Sequence, residues 1–129
     1  MFHADIVSLA VACDVLIIAT PGSEATSHIV DARVLGALGE DGILVNIARG
    51  SLVDEPALVA ALQDGTIAGA GLDVFADGPS VPEALKTMDQ VVLSPHQGSA
   101  TVDGRAAMAA LVVANLDAHF DGRPLPTAL

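Results

Sequence analysis

Ile43-Leu44-Val45-Asn46-Ile47-Ala48 is an unbroken, mostly apolar run that ends abruptly in a cation and a turn residue, Arg49-Gly50. A continuous apolar run closed by a turn reads as a strand buried within a parallel sheet. A polar side chain at its carboxyl end stands where such sheets bind their ligands. The same pattern recurs on both sides. Asp14 to Thr20 is an apolar run closed by Pro21-Gly22, Ala68 to Phe75 is a third, and Val91-Val92-Leu93 is a fourth that leads into Ser94-Pro95-His96.

Helical segments fall between these runs. Ile6 to Ala12 reads as the end of a helix. Asp31 caps a short one with Val34, Leu35 and Leu38 on one side, and Asp54 caps another that carries Pro56 in its first turn and Leu58, Val59 and Leu62 as its buried stripe. A helical turn surrounds Glu83-Ala84-Leu85. The last helix runs from Thr101 to Phe120, capped by Ser99 or Thr101, with Met108, Leu111, Val112 and Leu116 as its apolar side. Strands alternating with helices over short connections predict an α/β fold. The expected form is a partial doubly wound, Rossmann-like parallel sheet of about four strands, with flanking helices on both faces.

Composition narrows the function classes. The 129 residues are 52% hydrophobic with three Phe and no Trp or Tyr, so the core is built of Ala, Val, Leu and Ile. The formal charge of −11, against five Lys and Arg, excludes a phosphate-neutralising basic patch, and so a nucleic-acid or anionic-membrane partner is not expected. Cys13 has no disulfide partner in the chain. His3, His28, His96 and His119 lack a second ligand at helical spacing, so no metal site is expected. With no apolar run of spanning length and no charged-then-apolar leader, the chain reads as cytoplasmic.

The chemistry converges on the carboxyl ends of the strands. Arg49 follows an apolar strand with no acid near it until Asp54, and a guanidinium fork there suits the carboxylate of a small 2-keto acid better than a surface ion pair. His96 on its own would read as a histidine satisfied by backbone after a proline turn. Paired with Arg49 on one sheet edge, it reads as a general acid/base. Asp73, inside an apolar strand, needs donors to be buried at all. Gly69-Ala70-Gly71 is no dinucleotide loop, because it lies inside a strand, lacks a third glycine and opens no helix.

Three blocks together resemble the D-isomer-specific 2-hydroxyacid dehydrogenases. They are Val45-Asn46-Ile47-Ala48-Arg49-Gly50-Ser51-Leu52-Val53-Asp54-Glu55, Ala70-Gly71-Leu72-Asp73-Val74-Phe75 and Pro95-His96-Gln97-Gly98-Ser99-Ala100-Thr101. With Ala19-Thr20-Pro21-Gly22 and the Gly122-Arg123-Pro124-Leu125-Pro126 tail, the wording is similar to the bacterial glyoxylate/hydroxypyruvate reductase branch. The resemblance implies reduction of a small 2-keto acid to a D-2-hydroxy acid with NADP or NAD. It implies that Arg49 grips the substrate carboxylate and His96 donates the proton. It assigns Thr20, Pro21, Ile47, Arg49, Asp73, Gly98 and Ser99 to the cofactor. The family's catalytic glutamate falls on Gly78, before Pro79; Asp77 is one residue early and Glu83 lies beyond the loop.

By the same resemblance, residues 1–129 correspond to the second half of a dinucleotide-binding domain plus a C-terminal helix. The glycine-loop half and the substrate domain are absent from these residues. The isolated chain is therefore expected to be a weak enzyme or none, and its first strand is expected to form an open sheet edge that promotes a homo-oligomer.

Overall fold

A computed structural model of the chain describes residues 2–78 and 80–128. It divides into two compact units, one ending at His96 and one beginning at Gln97. The first unit holds a four-stranded parallel sheet of β1 (Val15–Ile18), β2 (Ile43–Asn46), β3 (Gly69–Leu72) and β4 (Val91–Leu93), in spatial order β1-β2-β3-β4. Residues Leu16, Leu44, Ala70 and Val91 stand in one row across it, and Ile18, Asn46, Leu72 and Leu93 in the next such row.

Helices α1 (Ile6–Val11), α2 (Ala32–Leu38), α3 (Glu55–Gln63) and α4 (Glu83–Lys86) lie between or before these strands. Each of the first three starts where a carboxylate can accept orphan amides. Asp5 Oδ1 takes the N–H of Ser8 at 2.8 Å, Asp31 Oδ1 that of Val34 at 3.1 Å, and Asp54 Oδ1 that of Ala57 at 3.1 Å. The Val34 amide, with Arg33 beside it, holds the Asp31 carboxyl below the usual carboxylate range. Gly39, at φ +84°, lets the chain leave α2 in a conformation that costs a side chain energy.

The core lies on one side of the sheet. Leu16, Ile18, Leu44, Ala70 and Leu72 are buried there against Val34, Leu35, Leu58 and Leu62. The expectation of helices on both faces does not hold for this unit. When strands lie side by side in sequence order, every right-handed crossover falls on the same face. The opposite row of Ile17, Val45, Gly71 and Val92 is left without such cover, and Ile17 and Val92 are 58% and 70% exposed. The reading of β1 as a fully buried strand is corrected on the same ground, since its side chains alternate between exposed and buried.

Two further boundaries move. β3 ends at Leu72 rather than Phe75. Its neighbour β2 stops at Asn46, so after one more rung, the amide of Asp73 to the carbonyl of Asn46 at 3.0 Å, no parallel partner continues. In α3 the buried stripe is Leu58, Ala61 and Leu62, and Val59 is only half-buried. The i, i+3, i+4 spacing selects Ala61. Two 3-10 turns, Glu24–Thr26 and Gly50–Leu52, were not apparent in the sequence pattern.

The second unit is built around α5 (Val102–Phe120), capped by Thr101, whose Oγ1 accepts from Gly104 N at 3.0 Å. Asn115 bonds Thr127 and ties the tail back to this helix. The expected apolar side is present but not buried: Met108, Leu111, Val112 and Leu116 are all exposed, and Ala118 is the buried residue of the helix. Among the described residues no helix is long and apolar enough to cross a membrane.

Candidate active site

The site begins with Asn46, the last residue of β2 and buried to 1% exposure. Its Oδ1 accepts from Ala48 N at 3.1 Å and its Nδ2 donates to the carbonyl of Arg49 at 2.8 Å. An Asn side chain can imitate a backbone turn in this way. Here it bends the chain out of the sheet and fixes where Arg49 emerges. The Arg49 guanidinium donates through Nη1 to the carbonyl of Ala48 at 2.6 Å, which uses one of its five N–H donors. Gly22 lies close to the Arg49 stem, and a Cβ there would come within 3.1 Å of Arg49 Cγ.

The next turn is welded to the segment after β3. At Gly50 a Cβ would stand 2.0 Å from the Phe75 carbonyl carbon, so the two backbones are in direct contact. A side chain reinforces the junction: the Ala76 amide donates to Glu55 Oε2, from the first turn of α3, at 3.2 Å. Beyond β4, the ladder extends through Ser94 N to the Leu72 carbonyl at 2.9 Å. The Ser94 hydroxyl donates to Asp73 Oδ1 at 2.6 Å, so the ends of β3 and β4 are also joined by side chains. After Pro95, His96 adopts φ +54°, a left-handed conformation rare outside glycine. Strain of that kind concentrates at functional sites.

These pieces enclose one cleft of about 640 Å³, lined by Arg49, Gly50, Phe75, Gly78, Ser94 and His96 together with Val74, Val81, Leu93 and Pro95. The structure therefore brings together the two residues read as catalytic. It also puts Gly78 on the same wall. Gly78 has φ +59°, and a Cβ there would meet nothing within 4 Å. Pro79 lies outside the described residues. Glu83 is turned to Lys86 Nζ at 2.8 Å, and the Asp77 carbonyl accepts from Ser80 N in a turn at 3.1 Å.

The remaining predicted residues are more dispersed. Thr20 lines a separate shallow hollow with His3, Leu9, Ile18 and Ile29. The Pro21 carbonyl accepts from Thr26 Oγ1 at 3.2 Å, and Ile47 is exposed just past β2, its amide bonded to the Ile18 carbonyl at 3.2 Å. Gly98 and Ser99 belong to the second unit. Gly22 was read at the site as part of Thr20-Pro21-Gly22, whereas Asn46 and Glu55 were given no role of their own by the sequence reading. Only Asn46 carried a local signal, an Asx residue two positions before a strand-end turn.

Among the described residues no group of three or more His, Cys, Asp or Glu is gathered as a metal would need.

Comparison with known proteins bears on this geometry. Residues 2–98 match the family described as D-isomer specific 2-hydroxyacid dehydrogenase, NAD binding domain. Hydroxyphenylpyruvate reductase of Plectranthus scutellarioides and a glyoxylate/hydroxypyruvate reductase of Arabidopsis thaliana are each 52% identical over 126 residues, which is 98% of this chain and 40% of theirs. The crystal structure of the NADPH-dependent glyoxylate/hydroxypyruvate reductase of Sinorhizobium meliloti, in complex with NADP and malonate, superposes with a TM-score of 0.90. It is 53% identical over 98% of this chain and 40% of that one. The chain thus spans about 40% of the length of these relatives.

Proposed function

The chain belongs to the D-isomer specific 2-hydroxyacid dehydrogenases, and from that premise we propose that it carries the carboxylate-binding and proton-transfer residues of an NAD(P)H-dependent reductase. Its substrates are small 2-keto acids of the glyoxylate and hydroxypyruvate type. The observation that carries the reading is the shared cleft: Arg49 and His96, from the ends of β2 and β4, line the same 640 Å³ space. We further propose that residues 1–129 act as the second half of a dinucleotide-binding domain with its C-terminal helix.

The carboxamide of a nicotinamide offers two N–H donors and needs acceptors beside an apolar wall. The Asp73 carboxylate just past β3 and the carbonyl of Ile47, an exposed residue just past β2, are candidate acceptors, and Phe75 and Leu93 supply apolar surface in the neighbouring cleft. The residues therefore fit that end of the cofactor. The backbone at Ile47 and the Asp73 carboxylate would hold the carboxamide and Arg49 would lie beside it, while Thr20 and Pro21 would lie along the cofactor, with Gly98 and Ser99 of the second unit assigned by the family resemblance. When bound, the reduced nicotinamide supplies a hydride.

The protein residues supply the rest. Arg49 pairs its guanidinium N–H groups with the keto-acid carboxylate and so fixes the carbonyl carbon in the cleft. His96, in its protonated form, gives one proton to the carbonyl oxygen as that oxygen gains charge, and the product is the 2-hydroxy acid. Val74, Phe75, Val81 and Leu93 line the cleft with apolar surface, which strengthens both interactions.

The test is oxidation of NADPH and NADH by the 129-residue chain with glyoxylate and hydroxypyruvate. It is run beside Arg49→Gln, His96→Gln and Gly78→Glu, with oxalate binding followed by NMR. Turnover that falls at least about a hundredfold in both cleft variants supports the proposal, as one missing general acid alone removes that much. Gly78→Glu, which places a carboxylate on the cleft wall, is expected to raise it. Failure to bind oxalate at millimolar concentration, together with no turnover in any form, overturns it.

A second reading is favoured by one observation. β1 is an edge strand, with β2 as its neighbour and Val15 and Ile17 exposed. Open apolar edges pair with other chains. On this reading the chain is a non-catalytic structural domain that self-associates through β1. Sedimentation should then show a dimer that Ile17→Lys dissociates; a monomer at high concentration overturns it.

A further inference from the structure

Part of the cleft lining comes from a segment with little regular structure of its own, Phe75 to Gly78, and two contacts tie it to the Arg49–Gly50 turn and the start of α3. One is steric, the Gly50 backbone against the Phe75 carbonyl. The other is the Glu55 carboxylate, which reaches across 21 positions of sequence to the Ala76 amide. Glu55 is not otherwise accounted for. The side-chain cap of α3 is Asp54, whose Oδ1 takes the Ala57 N–H, so Glu55 is not needed as the cap.

We infer that Glu55 is a positioning residue for the cleft. By accepting the Ala76 amide it holds the Phe75–Gly78 segment against the Arg49–Gly50 turn, and so sets how closely Phe75 and Gly78 approach a carboxylate held on Arg49. The inference rests on the proposed function for the identity of that ligand, and on the structure alone for the contact. Phe75 and Gly78 line the cleft from one side of this contact, and Arg49 and Gly50 line it from the other. A shift of the segment therefore changes cleft width without touching Arg49 or His96. The role is mechanical. Glu55 moves no proton and touches no substrate.

The experiment compares the wild-type chain with Glu55→Ala and with Glu55→Gln, which keeps a side-chain carbonyl acceptor. Amide hydrogen exchange is read at Ala76 and at Leu44 in the core, and the dissociation constant of oxalate is measured by NMR. In Glu55→Ala, exchange at Ala76 should rise about tenfold, the scale of one charge-assisted hydrogen bond. Exchange at Leu44 should stay put and oxalate should bind several-fold more weakly. Glu55→Gln should recover most of both effects. Unchanged exchange at Ala76 overturns the inference. So does a parallel rise at Ala76 and Leu44, which would make Glu55 a contributor to general stability. Oxalate binding that is equal in wild type and Glu55→Ala despite a loosened Ala76 also overturns it. If wild type binds no oxalate while Ala76 responds as expected, the functional reading fails and the hold on the segment stands.

Discussion

Gly50→Ala should cost more than about 3 kcal/mol of stability, beyond the usual range for overpacking. The added methyl would stand 2.0 Å from both the carbonyl carbon and oxygen of Phe75 and 2.4 Å from Ala76 N. All three are backbone atoms, so no side chain can swing aside. The turn after β2 and the segment after β3 would have to separate, and with them the two walls of the cleft. A small domain holds only about 5–15 kcal/mol in total, so the loss should be plain in a urea titration. Gly36→Ala is the control. It lies inside α2, a Cβ there meets nothing within 4 Å, and alanine is the better helix former, so this variant should gain about 0.5–1 kcal/mol. If Gly50→Ala unfolds within about 1 kcal/mol of wild type, the close approach described here is wrong.

Asn46→Ala should cost about 2–3 kcal/mol, because it strands the buried Ala48 amide, leaves the Arg49 carbonyl with the Leu52 amide as its remaining donor, and opens a cavity below the sheet end. Its effect on ligand binding should exceed its effect on stability. Arg49 leaves the sheet on a turn that Asn46 braces with two side-chain bonds, and a guanidinium displaced by even an ångström no longer meets a carboxylate squarely. Asn46→Asp separates the two roles of the amide. It keeps the acceptor for Ala48 but turns the donor facing the Arg49 carbonyl into an acceptor and buries a charge. Burial raises such a carboxyl above its unfolded value, so Asn46→Asp should be weakest at neutral pH and should recover stability, relative to wild type, as pH falls and the group protonates. Denaturant midpoints across pH 4–8 would check this; no recovery on acidification would mean that Asn46 is not buried as found.

The sequence made some of this architecture visible and hid the rest for physical reasons. Arg49 and His96 stand out because each ends an apolar run, and a charge at that boundary has few structural reasons to be there. The capping aspartates are local, within three residues of the amides they serve, and so could be read directly. Glu55 could not, because its partner is 21 residues away. Nor could Gly50 be told from any turn glycine, since its constraint comes from Phe75 in another loop. The continuous run from Asp14 to Thr20 suggested a strand buried on both faces. Run length does not say whether a second layer exists, and in this unit the second face has none. In α5 the apolar side was legible as a pattern, but a pattern states a preference for cover rather than its presence.

That one-sided sheet alters how the protein should melt. In the row of Ile17, Val45, Gly71 and Val92, Ile17 and Val92 are exposed and Val45 and Gly71 half-buried before unfolding begins, so its hydration contributes less to the change than a covered row would. Heat-capacity increments and denaturant sensitivities both scale with newly exposed apolar surface. For this unit both fall below what its length would suggest, which flattens the stability curve and broadens the thermal transition.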